Sequence, residues 1–132
     1  MKSLKVKPKF NKIAFPKIAL IALASDYIIE KDFKAILKNK NIDLFVNRIE
    51  SYNPLNRKNL IKMSKNITKV TREILPGEKI DCVAYACTSG TIAAGYNNIK
   101  KKVIQAKPDS RLTTPSTSSI NALKKFKIKK IA

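Results

Sequence analysis

Three stretches of this chain are apolar almost without interruption, and between them apolar residues recur at helical spacing. The runs are Lys17 to Ala24 (KIALIALA), Ile42 to Val46, and Ile80 to Ala86 (IDCVAYA). Continuous rather than alternating apolar character marks a strand buried on both faces, as in parallel sheets. Arg111 to Thr114 reads as a short fourth strand, and Ile128 to Ala132 begins a last one. Helices are predicted over Glu30 to Leu37, from Phe33, Ile36 and Leu37, and over Asn56 to Leu75. The second carries Leu60, Ile61, Met63, Ile67, Val70 and Ile74 on one stripe, and Pro76 and Gly77 end it. Two more helices are predicted, Thr91 to Gln105 and Pro115 to about Phe126. Turns fall at Asn39 to Asn41, Ser51 to Pro54 and Cys87 to Gly90. Alternating strands and helices predict an α/β fold, a doubly wound parallel sheet of about four to five strands. Residues 1 to 16, basic and without period, read as an N-terminal extension, and residues 17 to 132 as one domain.

Composition narrows the function classes. The chain has 132 residues, room for one compact domain, and 44% hydrophobic residues argue against disorder. No run of 18 apolar residues occurs, so no membrane-spanning helix is expected. No small-residue cleavage site follows the first apolar run, so a secretory leader is not expected either. The absence of His excludes His triads, His–metal sites and imidazole bases. Net charge is +19, yet only four of the 28 basic residues are arginine (Arg48, Arg57, Arg72, Arg111). Arginine is the better base and phosphate reader. The lysines are spread along the chain, which favours a solvated surface over a nucleic-acid site. That charge would still draw small anions to any cleft. A basic module for nucleic acid or another polyanion stays as the alternative. Cys82 and Cys87 lie five apart in an extended segment, too far to bridge. Two thiols without His are too few for a zinc site. Free thiols and a reducing cytoplasm are expected.

Ligands in parallel α/β sheets bind beyond the carboxyl ends of the strands. Those ends are Ser25-Asp26, Asn47-Arg48, Cys87 to Thr91 and Thr113 to Thr117, all rich in hydroxyl, amide or reactive groups. Cys87 closes a buried strand just before a helix, where the helix dipole and free N–H groups favour negative charge on sulfur. Thr88, Ser89 and Thr91 add hydroxyls, and Gly90 lets the backbone approach a ligand. The functional reading is a thiolate base or nucleophile beside a carboxylate cradle; a buried thiol followed by a helix cap is its equal. Asp26 orients substrate, shifts the thiol, or caps the next helix. Arg48 pairs with a substrate carboxylate, pairs with Asp26, or is solvated. Thr114, Ser116 and Thr117 form a second hydroxyl cluster, with capping as the alternative. Tyr52, Asn53 and Tyr96 are weaker candidates, and Cys82 reads as an inert core thiol.

At these residues the sequence resembles the aspartate/glutamate racemase superfamily. The run DCVAYACTSGT (Asp81 to Thr91) is similar to the first cysteine motif of one branch. That branch holds maleate cis–trans isomerase, arylmalonate decarboxylase and the ectoine-utilisation protein A. FVNRI (Phe45 to Ile49), Asn53-Pro-Leu, ILPGE (Ile74 to Glu78), TTPST (Thr113 to Thr117), Ala122-Leu and KKIA (Lys129 to Ala132) agree in order and spacing. Asp26 stands where maleate isomerases usually carry Asn, which favours the ectoine-utilisation protein. The resemblance implies two flavodoxin-like α/β domains facing each other across a small carboxylate or dicarboxylate. Each domain offers one cysteine, without metal or pyridoxal phosphate. Cys87 matches the first cysteine, Thr88 and Ser89 the carboxylate pair after it, and Asp26 the residue that ends the first strand. Thr114 and Thr117 are further substrate-binding positions by this match. The facing half, with the second cysteine, is expected from a missing C-terminal domain or a partner chain. A fragment of a longer enzyme is favoured over a split-gene half or a remnant. Homo-oligomerisation stays open, no membrane partner is expected, and nucleic acid is disfavoured.

Overall fold

A computed structural model describes residues 14–128, 130 and 131. The order of elements is β1 (Lys17–Leu23), α1 (Ile29–Leu37), β2 (Asp43–Ile49), α2 (Arg57–Ser64), α3 (Ile67–Arg72), β3 (Cys82–Tyr85), α4 (Thr88–Ala94), α5 (Tyr96–Ala106), β4 (Arg111–Thr113) and α6 (Pro115–Lys125). The four strands form one all-parallel sheet in the order β2-β1-β3-β4. The central strand β1 pairs Leu20 with Val46 on one side and with Ala84 on the other. This is the expected doubly wound α/β class, with four strands among the described residues.

The sheet's two faces are covered unequally. Ala19, Ile21, Val83 and Tyr85 pack with Leu60, Met63, Ile67, Val70, Ile99 and Val103 from α2, α3 and α5 into the main core. The opposite face, with Leu20 and Ala84, meets Ile29 and Phe33 of α1 and Pro115 of α6. Neither α1 nor α6 has a fully buried residue.

Two expected helices are each broken in two. Asn56 to Leu75 divides at Lys65-Asn66, where Lys65 N–H and Asn66 N–H bond three residues back, to Lys62 and Met63. Ser64 Oγ also donates to the Ile61 carbonyl at 2.7 Å, the local side-chain competition that loosens a helix. The apolar stripe runs through both pieces, so periodicity alone hides the break. The predicted Thr91 to Gln105 helix begins earlier, at Thr88, and divides at Gly95. There φ is +82° and ψ 134°, a backbone only glycine adopts cheaply. Strand β2 runs three residues further than the expected Val46. Its polar residues find partners without leaving the ladder: Asn47 Nδ2 donates to the Val70 carbonyl at 3.1 Å, and Arg48 Nη1 to the Leu23 carbonyl at 2.9 Å. The predicted last strand falls partly outside the described residues; Ile128, Lys130 and Ile131 are in no strand. The extension at residues 1 to 13 also lies outside them. No helix among the described residues is long and apolar enough to cross a membrane.

Candidate active site

The carboxyl ends of β1, β2 and β3 converge on Cys87. Strand β3 ends at Tyr85, Ala86 N–H donates to the Ile21 carbonyl, and the chain turns at Cys87 into α4. Cys87 is the N-cap of that helix, with its sulfur accepting the Gly90 N–H at 3.2 Å. A thiol is an unusual cap, since oxygen side chains normally fill this position. The Thr91 hydroxyl donates to the Cys87 carbonyl at 2.7 Å, which fixes the turn from both ends.

Cys87 is 5% exposed and opens onto a cavity of about 170 Å³. Leu23, Leu60 and Met63 form its apolar wall, and Ser25, Ser51 and Asn53 bring polar groups to it. Pockets for drug-sized ligands run to about 300–1,000 Å³, so this one suits a molecule of few heavy atoms. The Ser25 and Ser51 hydroxyls stand 3.4 Å apart across its mouth. Tyr52 is held at its rim: its hydroxyl donates to Glu50 Oε2 at 2.7 Å and the Lys62 ammonium lies 4.0 Å from its ring centre. The Glu50 bond pushes the Tyr52 hydroxyl above its ordinary range. Asn59, also on the cavity, gives its amide to the Pro54 carbonyl at 2.9 Å.

The other expected site residues sit around this cavity rather than in it. Thr88 and Ser89 are exposed on the first turn of α4. Ser89 faces a neighbouring groove shared with Asn56, Arg57 and Ile92. Asp26 takes the Ile28 and Ile29 N–H groups on Oδ1 at 2.8 and 3.0 Å. Those two bonds, Ile29 first, and then the nearby Arg48 charge hold its carboxyl below the usual range. Arg48 is spent on the Leu23 and Asp26 carbonyls and on Glu30, so its guanidinium clamps the β1–α1 turn. It lies within β2 rather than beyond its end. Thr114 and Thr117 form a reciprocal capping box at α6, with Pro115 in the first turn. Thr114 borders a different cavity, apolar and between β1, β3, α1 and α6. Cys82, half-buried within β3, has its thiol pushed up by burial, and Asp81 adds to this against Arg111. No group of three or more Cys, Asp or Glu that could hold a metal ion occurs among the described residues.

Sequence reasoning missed Ser51, Asn59 and Tyr85. The first is legible from the rule that strand ends carry ligands, applied to β2 at its true end. The second hides inside a helical stripe. The third lies beneath the sulfur. Tyr85 is fully buried, and its hydroxyl has no regular hydrogen-bond partner.

A larger depression, of about 270 Å³, lies at the opposite edge of the sheet beside Gly77 and Pro108. Its buried cation, Lys107, is committed to the Leu75 and Glu78 carbonyls at 2.8 and 2.9 Å. That peg closes the turn before β3.

No family model and no curated protein matches this sequence. Two solved structures share its fold. One is the maleate isomerase Iso from Pseudomonas putida S16, 15% identical, with a TM-score of 0.68 over 84% of this chain and 49% of that one. The other is the maleate cis–trans isomerase of Nocardia farcinica, bound to TRIS, 14% identical, with a TM-score of 0.66 over 83% and 48%. The chain thus spans about half the length of the solved structures it matches.

Proposed function

We propose that this chain is one α/β half of a racemase-type isomerase that acts on a small carboxylate through the Cys87 thiolate. A maleate-like dicarboxylate is the first choice. The observation that carries the reading is the place of Cys87: a thiol at the carboxyl end of a central strand, capping a helix and opening onto a small polar-mouthed cavity. The shared fold with two maleate isomerases supports it. So does the DCVAYACTSGT motif.

In this reading the thiolate attacks one alkene carbon. A carbon–sulfur bond forms as the π pair moves onto the adjacent carbon and its carboxylate. The former double bond rotates, the pair returns, and the thiolate leaves. No electron or proton is gained or lost over the cycle. Ser25, Ser51 and Asn53 would hold one carboxylate at the mouth, and Thr88 and Ser89 the other on the exposed side. Net charge of +19 steers a dianion toward the cleft. The facing wall, with a second cysteine, would come from further chain or a partner. Excluding water from that side strengthens every electrostatic contact within it. Asp26 leans the reading toward the ectoine-utilisation branch.

The test is proton NMR of maleate with the full gene product. Conversion to fumarate is expected, abolished in Cys87→Ala and retained in Cys82→Ala. Equal loss from both variants, or isomerisation that persists without Cys87, overturns the assignment. Polyanion binding would instead show as DNA affinity that falls steeply with salt.

A further inference from the structure

Tyr85 is fully buried, and its hydroxyl is one of two buried side-chain polar atoms without a hydrogen-bond partner among the described residues. A buried phenol normally finds a partner. Gly90 shows where this one points. A Cβ placed on Gly90 would lie 2.5 Å from Tyr85 Oη, 2.9 Å from Cys87 Sγ and 3.1 Å from Met63 Cε. Hydroxyl and thiol therefore converge on the bare Cα of the residue whose own N–H already donates to the sulfur. Burial first, and then the neighbouring Cys87 side chain, push the Tyr85 hydroxyl far above its ordinary range. It keeps its proton, and is a donor, throughout the neutral range.

Resting on the reading of Cys87 as the reacting thiol, we propose that Tyr85 is a positioning residue. Its O–H turns to the Cys87 sulfur when that sulfur is ionised and completes, with the Gly90 N–H, a two-donor socket for the thiolate. A neutral thiol is a weak acceptor and leaves the buried hydroxyl unsatisfied. A thiolate is a strong one, and hydrogen bonds to charged groups are roughly twice as strong as neutral ones. Ionisation thus relieves a penalty that the resting thiol leaves in place. Gly90 is required because any side chain there would occupy the meeting point.

The experiment uses the chain carrying Cys82→Ser, so that one thiol remains. Iodoacetamide alkylation of Cys87 is followed by mass spectrometry across neutral and alkaline pH, with and without Tyr85→Phe. That substitution removes one oxygen and keeps the ring. The expected result is alkylation slowed about tenfold at neutral pH, the worth of one hydrogen bond to a charged group. The whole rate profile moves to higher pH while Tm is unchanged or raised. An unmoved profile in a folded Tyr85→Phe protein overturns the proposal. Should that variant fail to fold, Gly90→Ala, which drives a methyl between hydroxyl and sulfur, is expected to slow alkylation and move the profile in the same way at a lowered Tm, and an unmoved profile in the folded protein is the same refutation. No substrate is used, so the two readings fail separately. A shifted profile with no isomerase activity keeps the socket and removes the function. Activity with an unmoved profile does the reverse.

Discussion

Replacing Gly90 by Ala sets two effects against each other. In a helix interior Ala is favoured over Gly by about 1 kcal/mol. Here the added methyl meets Tyr85 Oη at 2.5 Å, Cys87 Sγ at 2.9 Å and Met63 Cε at 3.1 Å. Met63 can swing its terminal methyl aside. Tyr85 cannot, because its ring is locked in the core between the sheet and the helices. Overpacking of this kind costs about 1–3 kcal/mol. The net expectation is a loss of up to about 2 kcal/mol, or up to roughly 7 °C in Tm for a chain of this length. Circular dichroism melts of Gly90→Ala, Tyr85→Phe and the double variant measure it. Phe lacks the closest atom, so the double variant should recover about 1 kcal/mol, a coupling well beyond additivity. Gly95→Ala is the control. It has open space around its Cβ but a φ of +82°, so its cost of about 1–3 kcal/mol is backbone strain alone. Tyr85→Phe must leave that cost unchanged. A Gly90→Ala protein that melts higher, or a cycle that is additive, would show that the hydroxyl is not wedged against Gly90.

Arg48→Ala removes the clamp on the Leu23 and Asp26 carbonyls and should cost about 1–2 kcal/mol in urea denaturation while leaving KM for substrate unchanged. A raised KM with unaltered stability would instead put the guanidinium on the substrate. Asp26→Ala should cost about 0.5–1 kcal/mol at neutral pH, a low figure for a carboxylate holding two N–H groups at a helix entry because the side chain is partly exposed. The folded-state carboxyl is held below its ordinary range by the Ile29 and Ile28 N–H groups and then by Arg48. Its contribution is therefore complete above the ordinary carboxylate range and fades as pH falls below it. Acid melting curves of the two proteins should converge there, and a difference undiminished at low pH would refute the role of these two N–H bonds.

The strands were legible because burial on both faces leaves no polar position within IALIALA or CVAYA. Their lengths were not. Asn47 and Arg48 stay in β2 because carbonyls of α3 and of the β1–α1 turn receive their donors, and no pattern along β2 encodes those partners. Helix breaks were hidden for the converse reason. The stripe through Leu60, Met63, Ile67 and Val70 continues across Lys65-Asn66, so packing is kept while the backbone turns. Gly95 was a visible signal, since glycine inside a helical stretch carries a penalty that asks for a reason. At the candidate site, the position of Cys87 between strand and helix was legible. The division of labour around it could not. Asp26, Thr114 and Thr117 have side chains equally suited to ligands and to local hydrogen bonds, and only the geometry shows Thr114 and Thr117 capping α6 and Asp26 holding two N–H groups at the entry to α1. Tyr85 passes for a core aromatic because period and polarity do not record where a phenol points.

The sulfur of Cys87 is at once the group proposed to react and the acceptor that starts α4. Those two tasks share one lone-pair system. A thioether accepts hydrogen bonds poorly, so whatever binds covalently to this sulfur also withdraws support from the first turn of its own helix. By linkage the reverse holds: a well-formed α4 disfavours the adduct and favours the free thiolate. Covalent occupancy of Cys87 and the folding of seven residues behind it are therefore opposing equilibria. On the proposed function, the scaffold would work to expel what the thiol has captured, biasing the centre toward turnover and away from a dead-end conjugate.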